Sequence, residues 1–309
     1  MEKPVTRQAH LIANTKSGKG DGANLPELAK HIARQHGVEL THYPTEDPAA
    51  FEKQIDAAAS AAQKDGGILI GAGGDGTIRA VAEKAAESKV PFAAVPCGTF
   101  NFFARNHKVP EEIEKALELA FTGQPREVGL GKISGHYFLI NASLGLYAKS
   151  IRDREKSTKR FGRDRLVVIL STILSLLGLH RRLRVELVTK ERTQQLQTMS
   201  IFIGNNTLQL RDLALDVAKC MKSGLLAAVI LKPVGRLEML RILWRGIAKT
   251  LEKEERLETF CVDTLTVHLP QPSISVALDG EMFQMSSPLR IQSIPKALTM
   301  ILPAPSAAQ

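Results

Sequence analysis

The sequence predicts two domains: an α/β domain with a doubly wound parallel sheet over residues 1–127, and an antiparallel β-sandwich with helical insertions over residues 128–309. Apolar runs alternate with Ala-rich helical segments up to about residue 124, which is the pattern of a parallel sheet covered by helices. Beyond that point short strands follow one another with turns between them, as in sandwiches and open barrels. The length of 309 residues suits two such domains, and the last strand is allowed to return to the first domain.

The helices of the first domain have identifiable starts. Asn24 caps a helix that has Pro26 in its first turn, and Asp47-Pro48 starts a second, Ala-rich helix. The apolar run 68–70 is typical of a buried parallel strand. The predicted strands are 9–13, 38–43, 68–70 and 90–95, and the predicted helices are 24–37, 47–64, 78–87 and 110–123.

The second domain is predicted as short strands interrupted by two helices. Its strands alternate or are apolar and are bounded by turn residues. The predicted strands are 137–143, 183–189, 199–204, 225–231, 265–269, 273–278 and 288–294, and the predicted helices are 164–179 and 236–253.

The composition favours a globular protein with anionic partners. Apolar residues make up 44% of the chain and the formal net charge is +9, which indicates a nucleotide, a nucleic acid or a lipid surface. Cys97, Cys220 and Cys261 show no metal or disulfide spacing, so we expect a reducing compartment, the cytoplasm. No secretion signal is visible, and no apolar stretch reaches the ~20 residues of a membrane-spanning helix.

The stretch Gly71-Ala72-Gly73-Gly74-Asp75-Gly76-Thr77 is the centre of the first domain. A strand precedes it and a helix follows, so glycine amides and a helix N-terminus can hold a phosphate. A carboxylate at Asp75 predicts Mg²⁺ or fixed waters between it and the phosphates. Loops 14–20 and 96–105 also follow strands, so we expect all three loops to converge at the carboxyl ends of the sheet.

Two common phosphate motifs are excluded. Gly71, Gly73 and Gly76 match the spacing of the dinucleotide fingerprint, but Pro96-Cys97 stands where that fingerprint needs an acidic residue. Loop 14–20 is not a Walker A loop, because Gly18-Lys19 is followed by glycine rather than Ser or Thr.

The string Gly73-Gly74-Asp75-Gly76-Thr77 resembles the nucleotide loop of the superfamily that contains diacylglycerol kinases, sphingosine kinases and NAD kinases. Three further segments favour bacterial diacylglycerol-kinase-like lipid kinases. Residues 14–20 resemble their Asn-Pro-x-Ser-Gly loop, with Thr15 in place of Pro. Residues 96–105 resemble their Gly-Thr-x-Asn-Asp-Phe-Ala-Arg loop, and residues 279–281 resemble their Asp-Gly-Glu. The motifs fit nearly the whole chain in order and spacing, and the fold they imply for the first domain is NAD-kinase-like.

The resemblance implies a two-domain enzyme that binds ATP with Mg²⁺ between its domains and phosphorylates a lipid hydroxyl, as of a diacylglycerol or a sphingosine. It implies that Asp279 is the general base, with Glu281 as a supporting candidate, and that Asp75 reaches the metal through water. Lys16 and Lys19 are added because they can neutralise phosphate charge. The other predicted ATP contacts are Asn14, Ser17, Thr45, Gly73, Gly74, Asp75, Gly76, Thr77, Gly98, Thr99 and Asn101.

The chemistry of phosphoryl transfer agrees with a base at Asp279. The reaction needs positioning, charge neutralisation and a carboxylate that accepts the hydroxyl proton. Asp279 follows the apolar strand 273–278, so its side chain can project into a cleft. The alternative is an ordinary turn aspartate, since Asp-Gly is common in hairpins.

Three positions depart from the family pattern. Phe102 replaces the aspartate that takes part in a carboxylate–water–Mg²⁺ network, and Arg79-Ala80 replaces Asn-Glu. Ser223-Gly224 replaces an Asp-Gly turn of a second, structural Mg²⁺ site, which we therefore expect to be absent.

The segment Lys149–Arg184 carries eleven cations against three acids and holds nearly all of the excess charge. Its apolar run 166–179 suits a helix lying at an anionic membrane surface, with a helix packed on the sandwich as the alternative. The second helix, which carries Trp244 and several cations, is a weaker version of the same membrane-surface signal, and we expect it to pack on the sandwich. The aromatic content of 5% argues against nucleic-acid binding.

These observations predict a cytoplasmic lipid kinase of phospholipid metabolism, peripheral at the inner face of the membrane. One alternative is a kinase of a soluble acceptor such as NAD. The other is a nucleotide- or lipid-binding relative without catalysis, which Phe102, Arg79 and Ser223 motivate.

Overall fold

The computed structural model describes residues 7–13, 24–45, 50–146, 182–212, 217, 219–248 and 250–304. The chain forms two compact units: unit 1 is Met1–Leu130 with Pro295–Gln309, and unit 2 is Gly131–Ile294. The helices are α1 (Leu25–Gln35), α2 (Phe51–Asp65), α3 (Asp75–Ser88), α4 (Phe102–Asn106), α5 (Ile113–Thr122), α6 (Thr207–Asp212), α7 (Lys219–Lys222) and α8 (Arg236–Ile247), with a 3-10 turn at Leu251–Lys253. The strands are β1 (Arg7–Ala13), β2 (Val38–Pro44), β3 (Ile68–Gly73), β4 (Phe92–Pro96), β5 (Gln124–Ile133), β6 (His136–Phe138), β7 (Asn141–Gly145), β8 (Leu183–Val188), β9 (Thr193–Thr198), β10 (Ser200–Gly204), β11 (Leu226–Leu231), β12 (Leu257–Val262), β13 (Thr264–His268), β14 (Ser273–Leu278), β15 (Glu281–Ser286) and β16 (Leu289–Leu302).

Unit 1 is built on a parallel sheet in the strand order β2-β1-β3-β4. The C-terminal part of β16 adds a fifth parallel strand, where Met300 pairs with Phe92. Helix α1 packs with α5, and α2 packs with α3. Because β-α-β crossovers are right-handed, the reversal of direction at β1 puts α1 on the face opposite α2 and α3. The sheet is thus covered on both faces, and its central strands are buried, as their apolar sequences require.

Unit 2 is an antiparallel sandwich. One sheet has the order β12-β11-β10-β7-β14-β15, and the other contains β9, β8, β13 and the N-terminal part of β16. Apolar side chains that alternate along the strands of both sheets fill the space between them, among them Ile203, Val276 and Val267. Strand β16 runs from one unit into the other, so unit 1 is built from two separate parts of the sequence.

The predicted fold class is confirmed. In unit 1 every described helix and strand longer than five residues overlaps a predicted one, except β5. In unit 2 the sequence analysis missed β9, β12 and β15, and the predicted strand 137–143 is divided into β6 and β7. The predicted helix 164–179 lies outside the described residues.

The interpretation of the cysteines is wrong. Cys220 and Cys261 form a disulfide, and Cys97 is the free cysteine. The two partners are separated by 41 residues and meet because α7 packs on β11, the strand that pairs with β12. The spacing of the two cysteines along the sequence does not reveal that they meet in the fold. The cysteine pattern therefore no longer argues for a reducing compartment.

Candidate active site

The glycine turns after β3 and β4 meet at the carboxyl end of the unit 1 sheet. A Cβ atom built on Gly98 would lie 2.8 Å from the Cα atom of Gly74. The backbone N–H of Cys97 also donates to the carbonyl of Gly73 over 2.8 Å. The two turns are thus in direct backbone contact, and this contact leaves no room for a side chain at Gly98. Of the three loops expected to converge, two are described, and these two lie together.

The first turn leads directly into α3. Gly74 precedes the helix in extended conformation, and the first backbone bond inside the helix runs from Ile78 N–H to the carbonyl of Gly74. The N–H groups of Asp75, Gly76 and Thr77 therefore lie in the first turn, where a helix offers donors to an anion. Gly73 accommodates the Thr77 side chain, whose Cβ would be 2.7 Å from a Cβ on Gly73.

The second turn is closed by Asn101. Its Oδ1 accepts from the Gly98 N–H and its Nδ2 donates to the Gly98 carbonyl, both over 3.0 Å. The backbone of Asn101 has φ +50°, a left-handed conformation that asparagine tolerates better than most residues. Asn101 is buried and its side chain holds the turn in shape, while Thr99 is exposed at the tip.

Asp75 faces the backbone amides of Asn101, Phe102 and Phe103 at the start of α4. Burial raises the pKa of this carboxyl above its ordinary value, and the three amides act in the opposite direction with a smaller effect. Its Oδ1 is buried, and none of the described residues donates a hydrogen bond to it. An acceptor in this state can bind a cation or an ordered water, as predicted for Asp75.

The first loop is only partly described. Asn14, Lys16, Ser17 and Lys19 lie outside the described residues. Thr45 is described and buried, and its Oγ1 donates to the Ala13 carbonyl over 2.7 Å. This bond fixes the carboxyl ends of β1 and β2 to each other.

Asp279 occupies the two-residue turn of the β14–β15 hairpin. Asp279 and Gly280 have φ values of +49° and +94°, and Leu278 pairs with Glu281. Asp-Gly suits such a turn because both central residues need positive φ. Glu281 is the first residue of β15. The Asp-Gly-Glu motif is thus, in part, the hairpin turn that was considered as the alternative.

The carboxylate of Asp279 also accepts hydrogen bonds from three backbone amides of unit 2. Its Oδ2 accepts from Leu139 N–H over 2.7 Å, and its Oδ1 accepts from the N–H groups of Ile140 and Asn141 over 2.8 Å. The backbone N–H of Asp279 donates to the Asn141 carbonyl. Three consecutive amides therefore orient one carboxylate, which an ordinary exposed turn aspartate would not require. No sequence signal points to these donors, because they are backbone groups of the two residues before β7 and of its first residue.

The described residues contain no group of three or more His, Cys, Asp or Glu side chains arranged to hold a metal. Single carboxylates suit Mg²⁺ that is held mainly by nucleotide phosphates and waters, so Asp75 fits a water-mediated contact. Phe102 stacks on Phe100 with ring centroids 5.6 Å apart. Arg79 is buried and pairs with Glu83, and Ser223 stands in the turn before β11.

Most of the basic segment Lys149–Arg184 lies outside the described residues; Arg182 and Arg184 are described and exposed. Among the described helices, none is both long and apolar enough to cross a membrane.

Comparisons with known proteins agree with this geometry. Residues 8–133 match the family model described as the diacylglycerol kinase catalytic domain. The predicted resemblance to diacylglycerol kinases is confirmed. The matched segment includes both glycine turns, Thr45 and Asp75, while Asp279 lies beyond it.

Curated relatives match the same part of the chain. A diacylglycerol kinase from Staphylococcus carnosus (strain TM300) is 31% identical over 160 residues, which is 51% of each chain. A probable lipid kinase YegS-like protein from Klebsiella pneumoniae (strain 342) is 31% identical over 136 residues, 43% of this chain and 45% of the relative. The chain thus spans about half the length of the curated relatives it matches.

Solved structures extend the likeness in fold to almost the whole chain. One is described as a diacylglycerol kinase from Bacillus anthracis str. Sterne, with a TM-score of 0.66 at 19% identity, covering 99% of this chain and 100% of that chain. A second structure from the same organism has a TM-score of 0.70 at 20% identity and covers 98% and 99%. These likenesses support the fold of both units.

Proposed function

We propose that the protein is an ATP-dependent lipid kinase that transfers the γ-phosphate of ATP to a lipid hydroxyl. The observation that carries the proposal is the contact between the two glycine turns beside the N-terminus of α3, in a segment that matches the diacylglycerol kinase catalytic domain. Backbone amides and a helix N-terminus at one place suit the polyphosphate of a nucleotide.

Unit 1 would bind the nucleotide. The N–H groups of the first turn of α3 would donate to phosphate oxygens, and Asn101 would keep the second turn in shape beside them. Mg²⁺ bound with ATP would neutralise phosphate charge, and the buried Oδ1 of Asp75 would hold it through water. Lys16 and Lys19 remain candidates for further neutralisation.

Asp279 would act as the base. As the hydroxyl oxygen of the lipid bonds to the γ-phosphorus, the bond between that phosphorus and the β,γ-bridging oxygen breaks and ADP leaves. The hydroxyl proton passes to the Asp279 carboxylate. The amides of 139–141 fix the carboxylate before substrate arrives, so little reorganisation is needed during the reaction.

The activity would take place at a membrane surface, because a lipid acceptor stays in the bilayer. We infer the inner face of the cytoplasmic membrane, where ATP is present. The predicted contact through Lys149–Arg184 remains part of this proposal.

The test is transfer of labelled phosphate from ATP with Mg²⁺ to a mixed lipid extract in detergent micelles. Wild type is compared with Asp279→Asn and Asp75→Asn, and Asp263→Asn serves as the matched control. Asp263 is a partly exposed aspartate of unit 2 that pairs with Lys190, so its replacement changes charge equally. We expect a labelled lipid with wild type and Asp263→Asn, and at least a 100-fold lower rate with Asp279→Asn and Asp75→Asn.

Three outcomes would contradict the proposal. Labelling of NAD without lipid or detergent would assign a soluble acceptor. Nucleotide binding without any transfer would assign a non-catalytic relative, and Phe102→Asp would then be the first variant examined for restored transfer. An unchanged rate in a folded Asp279→Asn protein would remove Asp279 from the chemistry.

A further inference from the structure

Helix α8 is anchored to unit 2 along one face. Met239 and Ile242 are buried, and Ile242 packs in the cluster that contains the disulfide partner Cys220. Arg241 and Arg245 both reach the fully buried Glu254, over 3.0 and 3.1 Å. These contacts fix the rotation of the helix about its axis.

The opposite face of α8 presents large apolar side chains to solvent. Leu237 is 82% exposed, Leu240 47% and Trp244 69%. At 100° per residue these three positions fall within about 60° of the helix circumference, directly opposite the anchored face. Only one other large apolar side chain among the described residues, Phe100, is comparably exposed. The helix therefore packs on unit 2 as expected, but Trp244 lies on its exposed face.

Arginines border this apolar face on both sides. Arg236 lies on one flank, and Arg241 and Arg245 lie on the other, with Glu238 as the helix's single acid. Arg241 and Arg245 share the buried Glu254, so the helix and this partner together carry three positive charges against two negative charges. A narrow apolar face with cations beside it and a tryptophan among its residues is typical of a helix lying in a membrane interface.

We propose that the face of Leu237, Leu240 and Trp244 docks unit 2 onto an anionic lipid bilayer. The apolar side chains would enter the boundary between headgroups and acyl chains, and the net positive charge beside them would attract anionic headgroups. Charge favours this occupant over a second copy of the chain, because two copies joined by this face would bring like-charged arginine rows together. The inference extends the proposed function by naming the contact surface, but vesicle binding needs no turnover.

The test uses the chain's single tryptophan as its reporter. Trp244 emission is recorded while vesicles of phosphatidylglycerol and phosphatidylcholine, or of phosphatidylcholine alone, are added. We expect a blue shift and quenching by brominated acyl chains with the anionic vesicles, at least 10-fold weaker binding to the neutral ones, and weakening by salt. The double variant Leu237→Gln/Leu240→Gln keeps the reporter and is expected to bind at least 10-fold more weakly.

Lys115→Gln is the matched control, because Lys115 is an exposed cation of unit 1, and its binding is expected to equal wild type. An unshifted Trp244 in protein that sediments with anionic vesicles would overturn the proposal, as would unchanged binding of the double variant. A blue shift that grows with protein concentration without vesicles would assign the face to a second copy. If the protein phosphorylates lipid in micelles but does not bind vesicles, the proposed docking surface is wrong and the proposed function is unaffected.

Discussion

Units 1 and 2 each contain one aspartate that faces three consecutive backbone amides. Asp279 receives hydrogen bonds from residues 139–141 on both oxygens, at 2.7 and 2.8 Å. Asp75 faces the amides of 101–103, yet burial dominates its environment, raises the pKa and leaves Oδ1 without a donor among the described residues. Three backbone amides therefore satisfy both oxygens of Asp279, whereas Oδ1 of Asp75 has no hydrogen bond from the described residues.

This difference predicts that replacing Asp279 and replacing Asp75 will change the free energy of unfolding differently. A carboxylate whose oxygens are satisfied stabilises the residues around it. A buried carboxylate that lacks enough hydrogen bonds lowers the stability of the folded protein. Such a carboxylate is retained where it is needed to bind a ligand. Replacing Asp279 and Asp75 tests this contrast directly, and the disulfide of unit 2 and His107 of unit 1 are further differences between the units.

The largest effect is expected at the disulfide, which belongs to unit 2 alone. Its two cysteines are 41 residues apart, and closing a loop of that size stabilises a protein by about 4 kcal/mol in the chain-entropy model. Cys220→Ala should lower the denaturant midpoint measured by far-ultraviolet circular dichroism. The control Cys97→Ala should leave that midpoint unchanged, and equal effects of the two variants would contradict the assignment.

The second effect concerns Asp279. Replacement by alanine leaves three amides of the buried residues 139–141 without their acceptor, and we expect a loss of about 3 kcal/mol in the free energy of unfolding. Asp263→Ala, at a partly exposed aspartate of the same unit, should change it by less than about 1 kcal/mol. Chemical denaturation followed by far-ultraviolet circular dichroism measures both free energies, and similar losses would show that the amide hydrogen bonds contribute little.

The third effect is a pH dependence in unit 1. Burial, with Arg126 nearby, lowers the pKa of His107 from 6.5 to about 4. Between these values the unfolded chain binds a proton that the folded chain does not, so stability should fall as the pH falls from 6.5 to 4. The full shift corresponds to at most about 3 to 4 kcal/mol, and we expect about 2 kcal/mol of this to be measured.

His107→Gln removes the titrating group and should flatten that part of the curve of stability against pH. Wild type, unfolded under the same conditions, is the reference for this slope. Far-ultraviolet circular dichroism during urea unfolding at several pH values measures the slopes. A slope that persists in His107→Gln would assign the dependence to another group.

The smallest effect is expected for the stability of Asp75→Asn. Because the folded pKa of Asp75 is raised, the ionised carboxyl lowers stability as pH rises through that value, and a neutral amide removes this penalty. We expect a free energy of unfolding equal to wild type or up to about 1 kcal/mol higher, together with loss of phosphate transfer. A destabilised variant would place Asp75 in the same class as Asp279.

The sequence predicted the parts of the molecule whose signals are local. The strand, glycine turn and helix around Gly73 and Asp75 follow from a short apolar run, glycines and an Ala-rich segment, and all three appear in the structure. Asp-Gly at 279–280 predicted a hairpin turn for the same reason. Strand β9 was missed because its sequence, TQQLQT, is almost entirely polar and lies at a sheet edge, where little burial is required.

Contacts between distant residues could not be predicted. The disulfide, the amides that hold Asp279 and the exposure of Trp244 all depend on which elements pack together. Asn101 shows an intermediate case: its place in the loop was predicted, but its role in closing the turn on Gly98 depends on a left-handed backbone that asparagine alone does not guarantee.

Strand β16 has a consequence for how the protein is made. The ribosome delivers residues 1–130 first, whereas Met300, which pairs with Phe92 at the edge of β4, emerges only after all of unit 2. At typical elongation rates this interval is on the order of ten to thirty seconds. During that time the β4 edge has no partner strand and is open to pairing with other nascent chains. Unit 1 is thus begun first and completed last, so premature termination anywhere in unit 2 leaves its sheet unfinished.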